Sequence, residues 1–327
     1  MSIDTVGGPS PIRKLIAVIL GTGALLALLI VLFALPAARS APHHIPVGVV
    51  AAEDVEATLR EHAGSAIDFT KYRSADAARA AILHRKVYGA VVISTRGEVT
   101  NLVATAASAS VATIVESIGQ QVAATTGGHA TTIDVRGFPA KDPHGAGLAA
   151  GALPLALGGW ISAMVIMLVI HRPGARVVAA VGVAVVGGLA VVAIEQFVVA
   201  TFDGNYLLTS LAAMLGIAAT CFAVLGLREL LGGLGIGIAA IALILLGNPL
   251  SGLASAPEML PRPWGAFGQL LPPGATGALL RDVTFFDGHG LRHPIVVLIC
   301  WLIGGIVLYI LGVSRNRRAR YPVQHAP

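Results

Sequence analysis

The sequence predicts a membrane protein, an all-α bundle of six transmembrane helices with an α/β domain inserted between the first and second helices. Apolar residues make up 55% of the 327 residues and charged residues only 12%, against roughly 25% charged in soluble domains. Six runs contain no Asp, Glu, Lys or Arg: 15–38, 143–171, 177–194, 204–227, 230–257 and 293–314. Each approaches or exceeds the roughly 20 residues that a helix needs to cross the hydrocarbon core. We therefore expect helices near 15–35, 149–170, 177–199, 206–227, 230–248 and 294–313.

The basic residues that flank these runs predict an orientation. Nine of them fall on one side: Arg13, Lys14, Arg172, Arg176, Arg228, Arg315, Arg317, Arg318 and Arg320. Three fall on the other: Arg262, Arg281 and Arg292. Because Lys and Arg are enriched in cytoplasmic loops, we expect a plasma-membrane protein with both termini in the cytoplasm and residues 37–145 outside. The first run could instead be a signal peptide, but the apolar stretch from Ile16 to Leu35 is longer than a usual signal region and favours an uncleaved anchor.

The predicted parts are 1–36 (cytoplasmic N-terminus and first helix), 37–145 (extracytoplasmic α/β domain), 146–314 (five-helix transmembrane domain) and 315–327 (basic cytoplasmic tail). In the α/β domain, runs of β-branched residues alternate with amphipathic segments, as strands and helices do. The expected strands are 45–51, 67–72, 87–94, 99–103 and 131–135. The expected helices are 55–62, 74–84 and 108–124, the second of them capped by Ser74.

The stretch from Asn248 to Asp282 holds six prolines and five glycines. No helix in it is expected to run far, and we interpret 248–293 as an outward-facing re-entrant segment. Irregular backbone at membrane depth must be buried or line a wet cavity, which predicts an outer gate. Asn248 and Pro249 would end the fifth helix, and Trp264 and Phe267 would sit at the membrane interface. Pro272, Pro273 and Gly274 would set the final re-entry, and Arg281 would stay outside, bonded to exposed carbonyls or lipid phosphate.

Two motifs in this stretch, Asn248–Gly252 (NPLSG) and Leu271–Ala275 (LPPGA) followed by Leu279–Arg281 (LLR), resemble the C-terminal part of ATP-binding-cassette type-2 permeases. The similarity is to the subgroup that includes the phage-infection-protein-like permeases. In that subgroup an extracytoplasmic domain follows the first span. It opens with a strand similar to 46–50 (PVGVV) and has a helix leading into a strand similar to 77–94.

The resemblance implies a permease subunit that exports a hydrophobic or amphipathic substrate, such as a lipid-like molecule, drug or peptide. Its partners would be a separate cytoplasmic ATPase, membrane lipids, and a second permease in a homodimer or mixed pair. A cytoplasmic element between the second and third spans would dock on the ATPase, which here corresponds to His171, Arg172, Pro173, Gly174 and Arg176. The same residues also fit a plain turn with positive-inside charges.

Glu195, followed by Gln196, is the only acidic residue in a predicted span. An ionisable group at membrane depth is a candidate for a transport pathway. Its place near the outer end of the third span, within reach of interfacial water, favours an interfacial or structural partner instead.

Other site classes find little support in the sequence. No phosphate-binding G-x-x-x-x-G-K-[ST] loop occurs, so the chain is not expected to hydrolyse ATP itself. Neither G-x-S-x-G nor H-E-x-x-H occurs, and we expect no catalytic residue, metal or cofactor. A net charge of +5 without a basic, aromatic-lined patch argues against nucleic-acid binding. The alternative to transport is a polytopic membrane protein whose extracytoplasmic domain binds or senses a partner.

Overall fold

The computed structural model describes residues 11–38, 40–125, 128–143, 145–253 and 255–320. In these residues the chain is mainly helical and carries one five-stranded sheet. The helices are α1 (Pro11–Ala38), α2 (Glu53–Ala63), α3 (Ala75–Leu83), α4 (Ala109–Thr125), α5 (Ala146–Val169), α6 (Pro173–Ala193), α7 (Tyr206–Leu231), α8 (Gly233–Ala240), α9 (Trp264–Gln269), α10 (Pro272–Phe285) and α11 (Arg292–Arg320). The strands are β1 (Ile45–Val50), β2 (Ile67–Lys71), β3 (Gly89–Ile93), β4 (Val99–Val103) and β5 (Ala130–Asp134). The first ten residues and the part of the predicted tail beyond Arg320 lie outside the described residues.

Residues 40–143, called the sheet domain below, form a sheet in the order β2-β1-β3-β4-β5. Strand β1 runs parallel to β2 and β3, β3 is antiparallel to β4, and β4 is parallel to β5. Ile45, Val47 and Val49 of β1 are fully buried, as expected for an inner strand that is apolar throughout. Each helix and strand predicted for this domain is present, with ends shifted by at most two residues. The Ser74 side chain accepts from the amide of Ala77 at 3.2 Å, which confirms the predicted cap.

The central helix of the bundle is α7, which packs against α5, α6, α10 and α11. The most apolar 18 residues of α7 are 72% buried, whereas the corresponding 18 residues of the α6 segment and of α11 are each 22% buried. Small residues allow this close packing, because without side chains two backbones can approach. A Cβ at Gly188 of α6 would meet Met214, and Gly226 lies against the carbonyl of Gly305 in α11.

Three segments in the described part of the chain are long and apolar enough to cross a membrane: Pro173–Val198, Tyr206–Leu231 and Arg292–Asn316. The first consists of α6 and a short π-helical continuation, Ile194–Val198. Three shorter apolar stretches are also helical: Leu15–Val31 within α1, Leu157–Val169 within α5, and Gly233–Leu246, which is α8 with its π-helical continuation. All six predicted spans are therefore helical, and three of them meet the length and composition that crossing requires.

The break expected between the helices near 206–227 and 230–248 was placed too early, because α7 continues to Leu231. The chain reverses at Gly232, whose φ of +67° is readily adopted only without a Cβ, and α8 begins at the next residue. Arg228 and Glu229 therefore lie on the last turn of α7. The two charges that interrupt the apolar residues after Leu227 indicated a break there. The helix in fact ends at the glycine five residues after Leu227.

The expectation that no helix runs far in the Pro/Gly-rich stretch is also wrong. Helix α10 extends over 14 residues, and nearly all of them are buried. It begins with Pro272 and Pro273, where the missing amide donors have no intrahelical partner to lose. The two prolines therefore start this helix instead of breaking one. Most of the irregular backbone described in this stretch lies between Gly247 and Pro263, where a single 3-10 turn occurs at Pro257–Met259.

Candidate functional site

The sheet domain is joined to α10 by a buried ion pair. Arg85, which follows α3, donates from Nε to Oδ1 of Asp282 at 3.0 Å. Its guanidinium also lies 4.8 Å from the ring centre of Phe286, within the range of a cation–π contact. Nearby, the rings of His84 and His289 stack with their centres 4.3 Å apart. Sheet domain and helical part thus share one packed interface.

A second set of contacts joins the sheet domain to the Pro-rich residues before α9. The Tyr88 hydroxyl donates to Glu258 at 2.8 Å. The amides of Ala41 and His43 donate to the carbonyls of Met259 and Glu258, both at 3.0 Å. Burial raises the pKa of Tyr88, and the Glu258 carboxylate raises it further. Tyr88 is therefore a neutral donor that holds the Glu258 carboxylate in place.

Between these two sets of contacts lies a cavity of about 440 Å³, called the polar cavity below. Its charged lining residues are Arg85, Glu258, Arg262, Arg281 and Asp282. Three histidines, His43, His44 and His293, complete its polar wall. The lining comes from the sheet domain, the Pro-rich residues, α10 and the start of α11, so the cavity exists only where these parts meet.

Arg281, which was expected on the outer side with exposed carbonyls or lipid phosphate as partners, is buried in this wall. Only 7% of its surface is exposed, and its Nη2 donates to the carbonyl of Leu253 at 3.0 Å. Its Nε has no partner, and Arg281 takes part in none of the ion pairs of the described residues. Burial, together with the neighbouring charge of Arg85, lowers the pKa of its guanidinium to about 10.

Asp282, the next residue, is in the opposite situation. Burial raises the pKa of its carboxyl to about 6, although Arg85 and Arg281 both act to lower it. Burial of a carboxylate in a poorly solvated site disfavours its charged form. The cavity wall thus contains one poorly solvated ion pair, Arg85 with Asp282, and one further buried cation, Arg281, that forms no ion pair with the described residues.

A wide groove adjoins the polar cavity and runs down α11. It measures about 1060 Å³ and shares Gly290 and His293 with the cavity. We call it the apolar groove, since its walls are mainly Leu270, Leu291, Val296, Val297, Cys300 and Trp301. The Trp301 indole is fixed by donating to the Leu270 carbonyl at 2.8 Å. A smaller hollow of about 250 Å³ shares Cys300 and Trp301 and extends the groove to Leu308.

The predicted gate residues are spread over the Pro/Gly-rich stretch. Trp264 and Phe267 are 48% and 40% exposed and pack edge to face with ring centres 6.3 Å apart. Asn248 and Pro249 lie in the turn after the π-helical segment Ile241–Leu246. Pro272, Pro273 and Gly274 are buried in the first turn of α10. Of the eight, only Arg281 lines the polar cavity.

Glu195 and Gln196 lie in the π-helical end of the third predicted span. Glu195 is buried, and its Oε2 has no partner among the described residues. Gln196 donates to the carbonyl of Gly204 at 3.0 Å. Neither residue lines the cavity or the groove, so the structure does not bring them together with Arg281.

Asp142, which the sequence did not single out, holds the start of α5. Its carboxylate accepts from the amides of Ala146 and Gly147, each at 2.8 Å. It also accepts from the Thr201 hydroxyl at 2.7 Å. Carboxylates at helix starts satisfy free amides and the helix dipole. An acidic residue four positions before a long apolar run was the available signal.

At the opposite end of the bundle lie the residues predicted to contact an ATPase. His171 and Arg172 are exposed in the link between α5 and α6, and Pro173 begins α6. Gly174 is open, since a Cβ added there would meet no atom within 4 Å. Arg176, in contrast, donates to Glu229 at 3.0 Å with both side chains mostly buried. Asn316 of α11 also donates to Glu229, at 3.1 Å, so Arg176 belongs to a network that joins three helices.

The sequence missed Arg85, Tyr88 and Glu258 as parts of a site. Glu258 is the only acidic residue between Glu229 and Asp282, and this isolation was a usable signal. No group of three His, Cys, Asp or Glu side chains suited to a metal occurs in the described part of the chain. Comparison with protein-family models, with curated proteins and with solved structures gave no match to this chain.

Proposed function

We propose that this chain is the permease subunit of an exporter driven by a separate ATP-binding-cassette ATPase, and that it moves a hydrophobic or amphipathic substrate out of the cell. The observation that carries the proposal is the polar cavity that opens into an apolar groove along α11. A cavity with this lining suits a substrate with unlike ends. The permease works as a homodimer or with a second permease.

In the proposed arrangement α1, α5, α6, α7, α8 with its π-helical continuation, and α11 cross the plasma membrane, and the sheet domain lies outside. The two ends of the bundle differ in charge. Arg172, Arg176, Arg228 and Arg315 lie at the end away from the sheet domain. Since basic residues favour the cytoplasmic side, this difference supports cytoplasmic termini.

Cysteine labelling tests the arrangement. Cys300 is first replaced by serine, which leaves Cys221 as the native cysteine, and Cys221 is buried. In this background we expect Thr95→Cys to react with a membrane-impermeant maleimide in intact cells. Thr95 is exposed in the turn between β3 and β4. Gly174→Cys, open at the other end of the bundle, should react only after the cells are opened. Labelling of Gly174→Cys in intact cells would overturn the proposed orientation.

Coupling to the ATPase predicts that exposed and paired residues of the α5–α6 link behave differently. After mild purification from its native membrane, the assembly should hydrolyse ATP, and the chain stripped of other subunits should not. The double change His171→Ala, Arg172→Ala should reduce hydrolysis by the assembly about 10-fold, as loss of a charged contact does, with unchanged melting of the permease. Arg176→Ala is the matched contrast, because it breaks the buried pair with Glu229 and should lower the melting temperature.

Two results would decide against this proposal. Hydrolysis by the stripped chain alone would place the ATPase activity in this polypeptide. An assembly without hydrolysis, from which a secreted or surface partner is recovered on the sheet domain, would favour the partner-binding alternative.

A further inference from the structure

We propose that the polar cavity and the apolar groove bind one amphipathic molecule, with an anionic phosphate or carboxylate headgroup beside Arg281 and its hydrocarbon chain along α11. Treating this molecule as the exported cargo rests on the proposed function. The binding itself does not, since it requires neither ATP nor a second subunit.

The charges of the cavity select an anion. Three arginines and two carboxylates line it, and both carboxylates have partners. Asp282 is paired with Arg85 at 3.0 Å, and Glu258 accepts from Tyr88 at 2.8 Å. Arg281 has a carbonyl as its partner, and its Nε has no partner among the residues that the structure describes. A buried charge without a counter-charge is unfavourable, and a phosphate or carboxylate oxygen beside this guanidinium would supply the missing partner.

The position and length of the groove favour a ligand with a long hydrocarbon chain. Its mouth shares Gly290 and His293 with the polar cavity, so a headgroup at Arg281 places its chain at the start of α11. From His293 to Leu308 the helix rises about 22 Å at 1.5 Å per residue. Half of the hydrocarbon core is about 15 Å. The groove and its extension are therefore long enough for the chain of a lipid drawn from one leaflet.

A second copy of this chain is the competing occupant of the apolar groove. It would cover Val296, Cys300 and Trp301 equally well, but contact there leaves the buried Arg281 without an anion. The charge of the cavity therefore favours the amphipathic ligand. The experiment below distinguishes the two.

Cys300 reports occupancy, because it is exposed in the groove whereas Cys221 is buried. The full chain is placed in zwitterionic phosphatidylcholine nanodiscs, and the rate of Cys300 modification is measured. Three probes are compared: oleoyl lysophosphatidic acid, oleoyl lysophosphatidylcholine and inorganic phosphate. We expect the anionic lipid to slow modification at a concentration about 10- to 100-fold lower than the zwitterionic lipid, as befits a charge-assisted hydrogen bond. Inorganic phosphate alone should leave the rate unchanged.

Arg281→Gln should remove this preference of about 10- to 100-fold, since glutamine carries no charge while keeping an amide donor near the position of the arginine Nε. Arg79→Gln is the matched control, because Arg79 is exposed on α3 and lies outside the cavity. It should leave the preference intact. If Arg281→Gln does not fold, the comparison of probes on the unaltered chain still decides the question.

Four outcomes would overturn the proposal. Equal protection by the two lipids removes the anion site, and protection by neither removes the groove. Protection by phosphate alone points to a free anion. If Cys300 is protected without added lipid, and only in nanodiscs that hold two chains, the groove belongs to a second copy. None of these results bears on ATP hydrolysis, so the proposed function stands or fails separately.

Discussion

Replacing Gly305 by alanine should destabilise the bundle by about 3 kcal/mol, the upper range for overpacking a well-packed core. A Cβ at Gly305 would lie 2.5 Å from the carbonyl carbon of Phe222 and 2.6 Å from the amide of Ala223. Both atoms belong to the backbone of α7, which cannot move aside as a flexible side chain can. The two helices would have to separate along their contact.

The neighbouring Gly304 offers a matched control. A Cβ at this position meets no atom within 4 Å, so Gly304→Ala changes the helix propensity by the same amount without touching α7. The measurement is the midpoint of thermal unfolding in detergent, followed by size-exclusion chromatography. Equal midpoints for the two variants would show that α7 and α11 are not held at this distance in the membrane.

Asp142→Ala should destabilise the protein by about 3 kcal/mol, combining a lost helix cap and lost hydrogen bonds to a charged group. The substitution leaves the amides of Ala146 and Gly147 and the buried hydroxyl of Thr201 without their acceptor. The first turn of α5 should fray. Hydrogen exchange of these two amides, together with the unfolding midpoint, measures the effect.

The control for Asp142 is Asp203→Ala, since Asp203 is exposed and lies in the same loop as Thr201. This change should alter the midpoint little. Asp142→Asn should recover only part of the loss, because asparagine keeps one acceptor oxygen where the carboxylate uses two, Oδ1 for Ala146 and Oδ2 for Gly147 and Thr201. If Asp142→Asn restores the midpoint fully, one acceptor oxygen suffices and the charge contributes nothing.

The sequence predicted the elements of the sheet domain well, because each element is specified by residues within or next to itself. The apolar β1 and β3, the Ser74 cap and the periodic α4 each depend on neighbours within one element. The same holds for the six predicted spans, each of which is helical over most of its length. Where the prediction failed, the residue type on which it rested is compatible with two different local structures. Prolines that could break a helix instead begin α10, and charges that could mark a loop lie on the last turn of α7.

The candidate site could not be predicted in the same way. Its central ion pair joins Arg85 to Asp282, which are 197 residues apart, and no periodicity within either element records that contact. Arg281 was expected to bond exposed carbonyls or lipid phosphate, and its burial was not anticipated. Its burial depends on the Leu253 carbonyl and on the sheet domain above it, and neither is visible in the residues around position 281.

Helix α1 is the least embedded part of the described chain, since nearly all of its described side chains are exposed. The chain shortly after α1 is nevertheless attached, because the amides of Ala41 and His43 donate to the carbonyls of Met259 and Glu258. The Pro-rich wall of the polar cavity is thus hydrogen-bonded to the chain only three residues beyond a helix that contributes none of its described residues to the cavity lining.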